Sequence, residues 1–386
     1  MLLLIFLKKI FKGSRLDRFI RLIINYIAPY YYNSIKKISI NKNNKFIYIC
    51  YGGLGDSLLS LPFLNNLSKN YNITIFIEKK YDGIQALLDK NIEFKLYLKK
   101  NILKELTKFA KLNEHIVLIQ QSPILEFILF NFFLKRPSTI GFLYRQNQID
   151  FSDNIIESKI IDTENKIRKY DYLGKIIDIS FKKNYFNINK RDIPKKLSSF
   201  LYCSTLVPKS NYFLISPTKD PNWSMGFFDY KVYSNFIENI TKNFLLTPVI
   251  IGTNQDSKII DNILLNVRNK KSLVNLVGKT SILDLIDLIK KANFVVANDN
   301  GIHHLSNFLN KKTLTLFNFS SYKVFNWNNK NSHFIFNPIF DCMPCVGQEN
   351  GPFDNYPFKC PWKERCKHSI DEKVIIKKLE KLKWIQ

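Results

Sequence analysis

The chain has 386 residues, 46% of them hydrophobic, which is too long for one ordinary core and too apolar for disorder, so two domains are expected. Its formal charge of +26, from 58 Lys and Arg against 32 Asp and Glu, favours polyanionic partners: nucleic acid, anionic lipid headgroups or phosphorylated glycans. The Lys, Asn, Ile and Phe bias also fits an AT-rich coding sequence, and the absence of a familiar DNA- or RNA-binding motif argues against nucleic acid. No run reaches the roughly 18 apolar residues of a membrane span. The start, Met1 to Leu7, lacks a basic region before its apolar part and a small-residue cleavage site after it, so a cytoplasmic location is expected.

Residues 1–45 read as an extension. Ser14 can cap a helix with Asp17 three residues on, and Leu16, Phe19, Ile20, Ile23, Ile24 and Ile27 then share one face. Arg15, Arg18 and Arg21 lie on other faces, and Ala28-Pro29 ends the element. Such a basic amphipathic helix can lie in an anionic membrane interface or pack on its own domain.

From Phe46 the pattern changes to alternating short apolar runs and helical stretches. Strands are expected at Phe46–Tyr51, Ile73–Ile77, Glu93–Leu98, Ile116–Gln120 and Thr139–Phe142. A helix is expected from about Ser57 to Lys69, with helical stretches at Ile84–Leu88 and Leu103–Leu112. Asn184–Ser210 is rich in Lys, Asn, Pro and Ser and reads as a linker. A second alternating series then begins: a strand at Tyr212–Ile215, a helix near Tyr230–Thr241, a strand at Pro248–Ile251 and a helix at Lys258–Val267. Thr280 or Ser281 caps a helix with Ile282, Leu285, Ile286 and Ile289 on one face, followed by strands at Phe294–Ala297 and Thr313–Phe317. Ile370–Leu382 reads as a last helix. Alternation of this kind predicts parallel, doubly wound sheets in two α/β domains.

Two loops carry chemistry. Gly52 to Asp56 (GGLGD) leaves a strand and enters a helix, but its glycines are not spaced as in the dinucleotide fingerprint. Asp56 can cap helix amides, where the dipole favours its charged form, or serve as a general base at the carboxyl edge of the strand. Asn298 to Gly301 (NDNG) likewise sits between a strand and a helix, where backbone amides can meet an anion and Gly301 permits close approach.

These residues carry a family resemblance. GGLGDSLLSLPFLNNL, residues 52–67, resembles the G-D-x-x-x-x-x-P-x-x-x-x-L signature of the family 9 glycosyltransferases, the bacterial heptosyltransferases. LVGKTSILDLIDLIKKANFVVANDNGIHHLSNFLNKKTLTLF resembles their G-x-T-S-L…N-D-T-G-x-x-H-L-A…F block. The resemblance implies a GT-B fold of two Rossmann-like domains facing across a cleft, an acceptor-side domain at 46–195, a linker at 196–210, a nucleotide-sugar domain at 211–335 and a Cys-containing C-terminal segment at 336–386. In that fold the final helix often crosses back onto the first domain. It also implies inverting transfer from ADP-heptose to a hydroxyl of lipopolysaccharide or lipooligosaccharide core, with no cofactor or catalytic metal. Asp56 would deprotonate the acceptor, with Gly53 and Gly55 in its loop, while Asp299, Asn300 and Gly301 would hold the sugar and diphosphate. His304 matches the family His; His303 has no counterpart and reads as packing or surface. Gly252 to Asp256 resembles a ribose-contacting loop, with Asp256 where Glu is usual. Ser216 to Lys219 resembles a phosphate-binding loop: Trp223 is present, Pro221 takes the Lys position, and Lys219 is the nearest cation.

Asn300 for the usual Thr, and Asn318 for a common Gly, keep another nucleotide-sugar, such as a UDP- or GDP-hexose, open as the donor. A non-catalytic glycan- or nucleotide-binding scaffold is the alternative of another class. A lipid-linked phosphorylated glycan at the inner face of the cytoplasmic membrane would suit the basic charge as acceptor. Cys342, Cys345, Cys360 and Cys366 form C-x2-C-x14-C-x5-C, which suits structural thiols or a disulfide, a zinc site of unusual last spacing, or redox chemistry.

Overall fold

The structure is a computed structural model that describes residues 45–50, 53–98, 101, 116–120, 138–142, 154–156, 202–219, 227–327, 329–345, 360 and 363–386. The N-terminal amphipathic helix, the Leu103–Leu112 stretch, Pro221 and Trp223 lie outside the described residues. Among those described, no helix is long and apolar enough to cross a membrane.

The first half builds β1 (Lys45–Cys50), α1 (Leu54–Leu67), β2 (Asn72–Glu78), a 3₁₀ segment at Lys79–Leu87, β3 (Ile92–Tyr97), β4 (Ile116–Gln120), β5 (Ser138–Phe142) and β6 (Asn154–Ile156). The second builds β7 (Tyr212–Ser216), α2 (Tyr230–Asn243), β8 (Thr247–Ile250), α3 (Ser257–Leu265), β9 (Val274–Asn275), α4 (Ile282–Lys291), β10 (Val295–Asn298), α5 (Gly301–Phe308), β11 (Thr313–Phe317), α6 (Tyr322–Phe325), β12 (Ser332–Phe336) and α7 (Glu372–Lys381). Both sheets are parallel, with strand orders β3-β2-β1-β4-β5-β6 and β12-β11-β10-β7-β8-β9. The second order is the first repeated in its own numbering. Each sheet reverses direction beside its first strand, between β1 and β4 and between β7 and β10, and ligands of doubly wound sheets bind outside the strand ends at such points.

Continuous apolar runs explain the central strands. In β1 only Lys45 is partly exposed, and β7, β10 and β11 are buried throughout, as strands covered on both faces must be. Short strands such as β6, β9 and β12 were not legible as periodic runs; β12 (SHFIF), at the sheet edge, has two polar residues before three apolar ones and no alternation.

The two halves share a core. Leu58 and Leu61 of α1 and Ile84 of the 3₁₀ segment belong to one buried cluster with Leu285 and Ile286 of α4 and Ile302, Leu305 and Phe308 of α5. The seam is tight: a Cβ on Gly83 would lie 2.7 Å from Ile282 Cβ. The opposite face of the second sheet has its own cluster, including Phe213, Phe236, Phe294 and Leu316.

Two expectations change here. The final helix, α7, buries Ile375, Ile376 and Leu379 in that second-domain cluster rather than crossing to the first domain. Residues 202–210 are not a loose linker: the Tyr202 hydroxyl and the Ser204 hydroxyl each donate to Asp284 Oδ1 at 2.6 Å, and the Ser204 amide donates to Asp287 Oδ2 at 2.8 Å. These bonds fasten the segment to α4.

Candidate active site

The reversal points place both sequence-singled loops at the carboxyl ends of central strands. After β1 the chain reaches Gly53 and starts α1 at Leu54, three residues before the expected start. Gly53 is therefore the N-cap, with no side-chain cap, and Asp56 stands in the first helical turn instead of at the cap. Asp56 is partly exposed.

Across the seam, β10 ends at Asn298 and α5 begins at Gly301. Asn300 is the N-cap: its Oδ1 accepts from the amides of Ile302 and His303 at 2.9 and 3.2 Å. Its Nδ2 donates to Ser216 Oγ at 2.9 Å and to the Thr218 carbonyl at 2.7 Å. One side chain thus caps the helix and fixes the loop after β7. Asn300 and Ser216 are brought together as structural partners, and the cap leaves the Gly301 amide as the first-turn donor that it does not take. The starts of α1 and α5 touch: a Cβ on Gly301 would lie 3.0 Å from Leu54 Cβ, and one on Gly55 would lie 2.6 Å from His304 Cδ2.

Asp299 is the centre of a buried ionic group. Its Oδ1 lies 3.4 Å from His303 Nδ1 and 3.7 Å from His304 Nε2; its Oδ2 lies 3.8 Å from Lys219 Nζ and accepts a short hydrogen bond from Ser320 Oγ. Burial alone would raise its pKa, but the His303 contact, then the Lys219 charge and the two neighbouring imidazoles, outweigh it and hold the carboxyl below the usual carboxylate range. Lys219 also donates to Ser320 Oγ at 3.2 Å and sits over the Phe319 ring. It is a counter-charge to Asp299, which gives it the fixed geometry that sequence could not. His303 is fully buried, not at the surface, and neither ring nitrogen makes a hydrogen bond among the described residues; its contact with Asp299 is at electrostatic distance. The ligand atoms of Asp299, His303 and His304 lie within 4.8 Å of one another. Lys219 already supplies the cation there, so the cluster reads as an internal ion network.

His304 is held from the far side. Trp327 Nε1 donates to His304 Nδ1 at 2.9 Å, and Trp327 is fully buried. Neither Trp327 nor Ser320 was singled out in the sequence; both sit in the polar stretch around β11 and α6, where periodicity says nothing about partners.

Asp256, expected at a ribose contact, also has a local role. It is buried, and its Oδ2 accepts from the Thr253 amide at 2.6 Å and the Thr253 hydroxyl at 2.8 Å, closing its own loop. Asn318 is likewise used locally, accepting from the Phe319 amide and donating to the Phe227 carbonyl.

The four C-terminal cysteines gather away from this seam. All six cysteines of the chain are free thiols, so no disulfide forms. Burial first, then the neighbouring thiols, push Cys345 up to about 12 and Cys366 up to about 11, with Cys342 raised by burial and Cys360. The Glu364 amide donates to Cys360 Sγ at 3.3 Å. The four thiols sense one another's charge, but among the described residues the ligand atoms gathered closely enough for a metal ion are those of Asp299, His303 and His304 and not these sulfurs.

Residues 183–355 match the family model described as Glycosyltransferase family 9 (heptosyltransferase). Among solved structures, the chain is similar to Escherichia coli ADP-heptose lipopolysaccharide heptosyltransferase II, at 14% identity and TM-score 0.61, over 88% of this chain and 98% of that one. E. coli heptosyltransferase WaaC with ADP gives 11% identity and TM-score 0.62, over 87% and 99%. The iron-containing dodecameric glycosyltransferase TibC from enterotoxigenic E. coli gives 12% identity and TM-score 0.55, over 89% and 78%. Comparison with curated protein sequences gave no match. At these identities the structures establish the fold, GT-B, and the sequence match lies in the second half. The family match therefore covers the loop at Asn298–Gly301 and not the one at Gly52–Asp56, and the chain is similar over its second half to the family 9 glycosyltransferases and over most of its length to their fold.

Proposed function

We propose that the chain transfers a heptose from ADP-heptose to a hydroxyl of a lipopolysaccharide or lipooligosaccharide core, with inversion and with Asp56 as general base. The observation that supports this reading is the meeting of α1 and α5 at their N-terminal turns, at the reversal points of both sheets, with Asp56 on the first turn of α1. Asp56 accepts the acceptor hydroxyl proton as that oxygen bonds to the anomeric carbon, and the bond from that carbon to the diphosphate oxygen breaks. The Gly301 amide and the positive end of α5 face the charge that develops on the leaving diphosphate. The acceptor is a lipid-linked phosphorylated glycan, met at the cytoplasmic face of the inner membrane by a basic chain whose net charge is +26.

A second reading keeps the reaction and changes the donor to a UDP- or GDP-hexose. It is favoured by the polar side chains of Asn300 and Asn318 at positions where the family commonly has Thr and Gly, each already hydrogen-bonded into the donor loops. Calorimetric titration with ADP, UDP, GDP and ADP-heptose separates the two: selective binding of ADP and ADP-heptose is expected, and a preference for UDP or GDP moves the donor to a hexose. Asp56→Asn is expected to abolish transfer and to leave donor binding within about twofold. Transfer by that variant at the parent rate would remove the general base.

The cysteine quartet is a separate, non-catalytic feature in this reading. Cys342, Cys345, Cys360 and Cys366, whose sulfurs are not gathered at ligand distance here, would have to draw together to hold one iron or zinc ion as a tetrahedral thiolate site.

A further inference from the structure

We propose that Trp327 is a positioning residue that holds His304 as a neutral imidazole with its proton on Nε2, so that His304 meets the donor as a hydrogen-bond donor and not as a base. The inference rests on the transferase reading for its catalytic part only. An indole N–H can only donate, so the 2.9 Å bond from Trp327 Nε1 requires a lone pair on His304 Nδ1. Protonating Nδ1 would set two N–H groups against each other in a site where Trp327 is fully buried and His304 is 5% exposed. The proton of the neutral ring is thereby assigned to Nε2 by its hydrogen-bond partner.

That proton has a defined surrounding. Nε2 lies 3.7 Å from Asp299 Oδ1, beyond a normal hydrogen bond, and 3.3 Å from where a Cβ of Gly55 would stand. The ring edge that carries Nε2 thus lies on the seam, against a residue with no side chain, one position before Asp56. Charged and titratable groups near the ring include Asp299 from the loop before α5, Lys219 behind Asp299 and His303 on the same helix at a ring-centroid distance of 4.5 Å, and Asp56 follows Gly55 on the first turn of α1. Packing alone would account for a buried aromatic at 327 but not for its N–H being spent on this one ring nitrogen.

The test uses the full-length protein labelled with 15N-histidine; with five histidines in the chain, His304→Gln assigns the signal. Long-range 1H–15N spectra from pH 6 to 8 are expected to show an unprotonated, hydrogen-bonded Nδ1 and a protonated Nε2. Trp327→Phe keeps most of the volume and removes the N–H; the tautomers should then mix, and kcat for transfer should fall at least about tenfold with little change in the acceptor KM. A wild-type ring with its proton on Nδ1, or an imidazolium across that range, overturns the proposal. So does a Trp327→Phe protein with the parent spectrum and kcat. The wild-type spectrum decides the tautomer even if Trp327→Phe fails to fold. An Nε2–H tautomer in a protein that turns over no donor overturns the transferase reading and leaves the positioning of His304 standing.

Discussion

Gly55→Ala tests the seam with one methyl group. The new Cβ would stand 2.6 Å from His304 Cδ2, about 0.8 Å short of ordinary contact. The imidazole has little room to retreat: Trp327 holds Nδ1, the His303 ring lies tilted against it at a centroid distance of 4.5 Å, and both His304 and Trp327 are buried. Either the Trp327–His304 bond stretches or α1 moves away from α5. Overpacking of this kind costs about 1–3 kcal/mol, and domains of ordinary size lose roughly 2–4 °C of Tm per kcal/mol, so a fall of several degrees is expected. A displacement approaching 1 Å at reacting groups should cost transfer on the order of 10²-fold in kcat. Gly53→Ser is the matched control, because nothing lies within 4 Å of a Cβ there and its extended backbone suits a helix N-cap. Differential scanning fluorimetry and single-turnover transfer read both variants. A Gly55→Ala protein with the parent Tm and rate would refute the close contact of the two helix starts.

Other expectations concern stability and metal. Asp284 accepts from Ser281, Tyr202 and Ser204, and although burial works to raise its pKa, those bonds bring the carboxyl down to about 2. Asp284→Ala should cost about 1–3 kcal/mol in urea unfolding and Ser281→Ala about 1 kcal/mol, so equal losses would contradict the role of Asp284 in fastening residues 202–210. Asp299 has a depressed folded pKa, so its contribution to stability is present above the unfolded value of about 3.9 and is lost as pH falls through and below it. Asp299→Asn should therefore flatten the loss of stability between about pH 5 and 3, and parallel curves for the two proteins would count against the ion network. Elemental analysis of protein purified without chelator should find about one iron or zinc per chain, lost in Cys345→Ser. Metal content unchanged by that substitution would place the ion elsewhere.

Much of this was legible along the chain because it depends on near neighbours. Apolar runs bounded by Gly, Asn and Pro located β1, β7, β10 and β11 within a residue or two, and Thr280 or Ser281 marked the start of α4, where the structure closes a capping box between Ser281 and Asp284. The loops at Asp56 and Asp299–Gly301 were readable for the same reason, since a strand that ends in a Gly-bearing turn before a helix is a local pattern. The edge strands β9 and β12 were missed because sheet edges need no continuous apolar run.

The partners were decided by the tertiary structure. Lys219 and Asp299 are 80 positions apart, and the charge of a lysine says nothing about which carboxylate it will face. The loop of Asp256 folds one of its carboxylate oxygens back onto Thr253, a hydrogen bond that sequence spacing permits without requiring. The last helix has an apolar face that either domain could cover, and only packing against α2 and its neighbours selects the second. Trp327 is the plainest instance. Sequence establishes that a donor-only indole must find an acceptor if buried; the fold of two sheets onto one seam determines that the acceptor is His304.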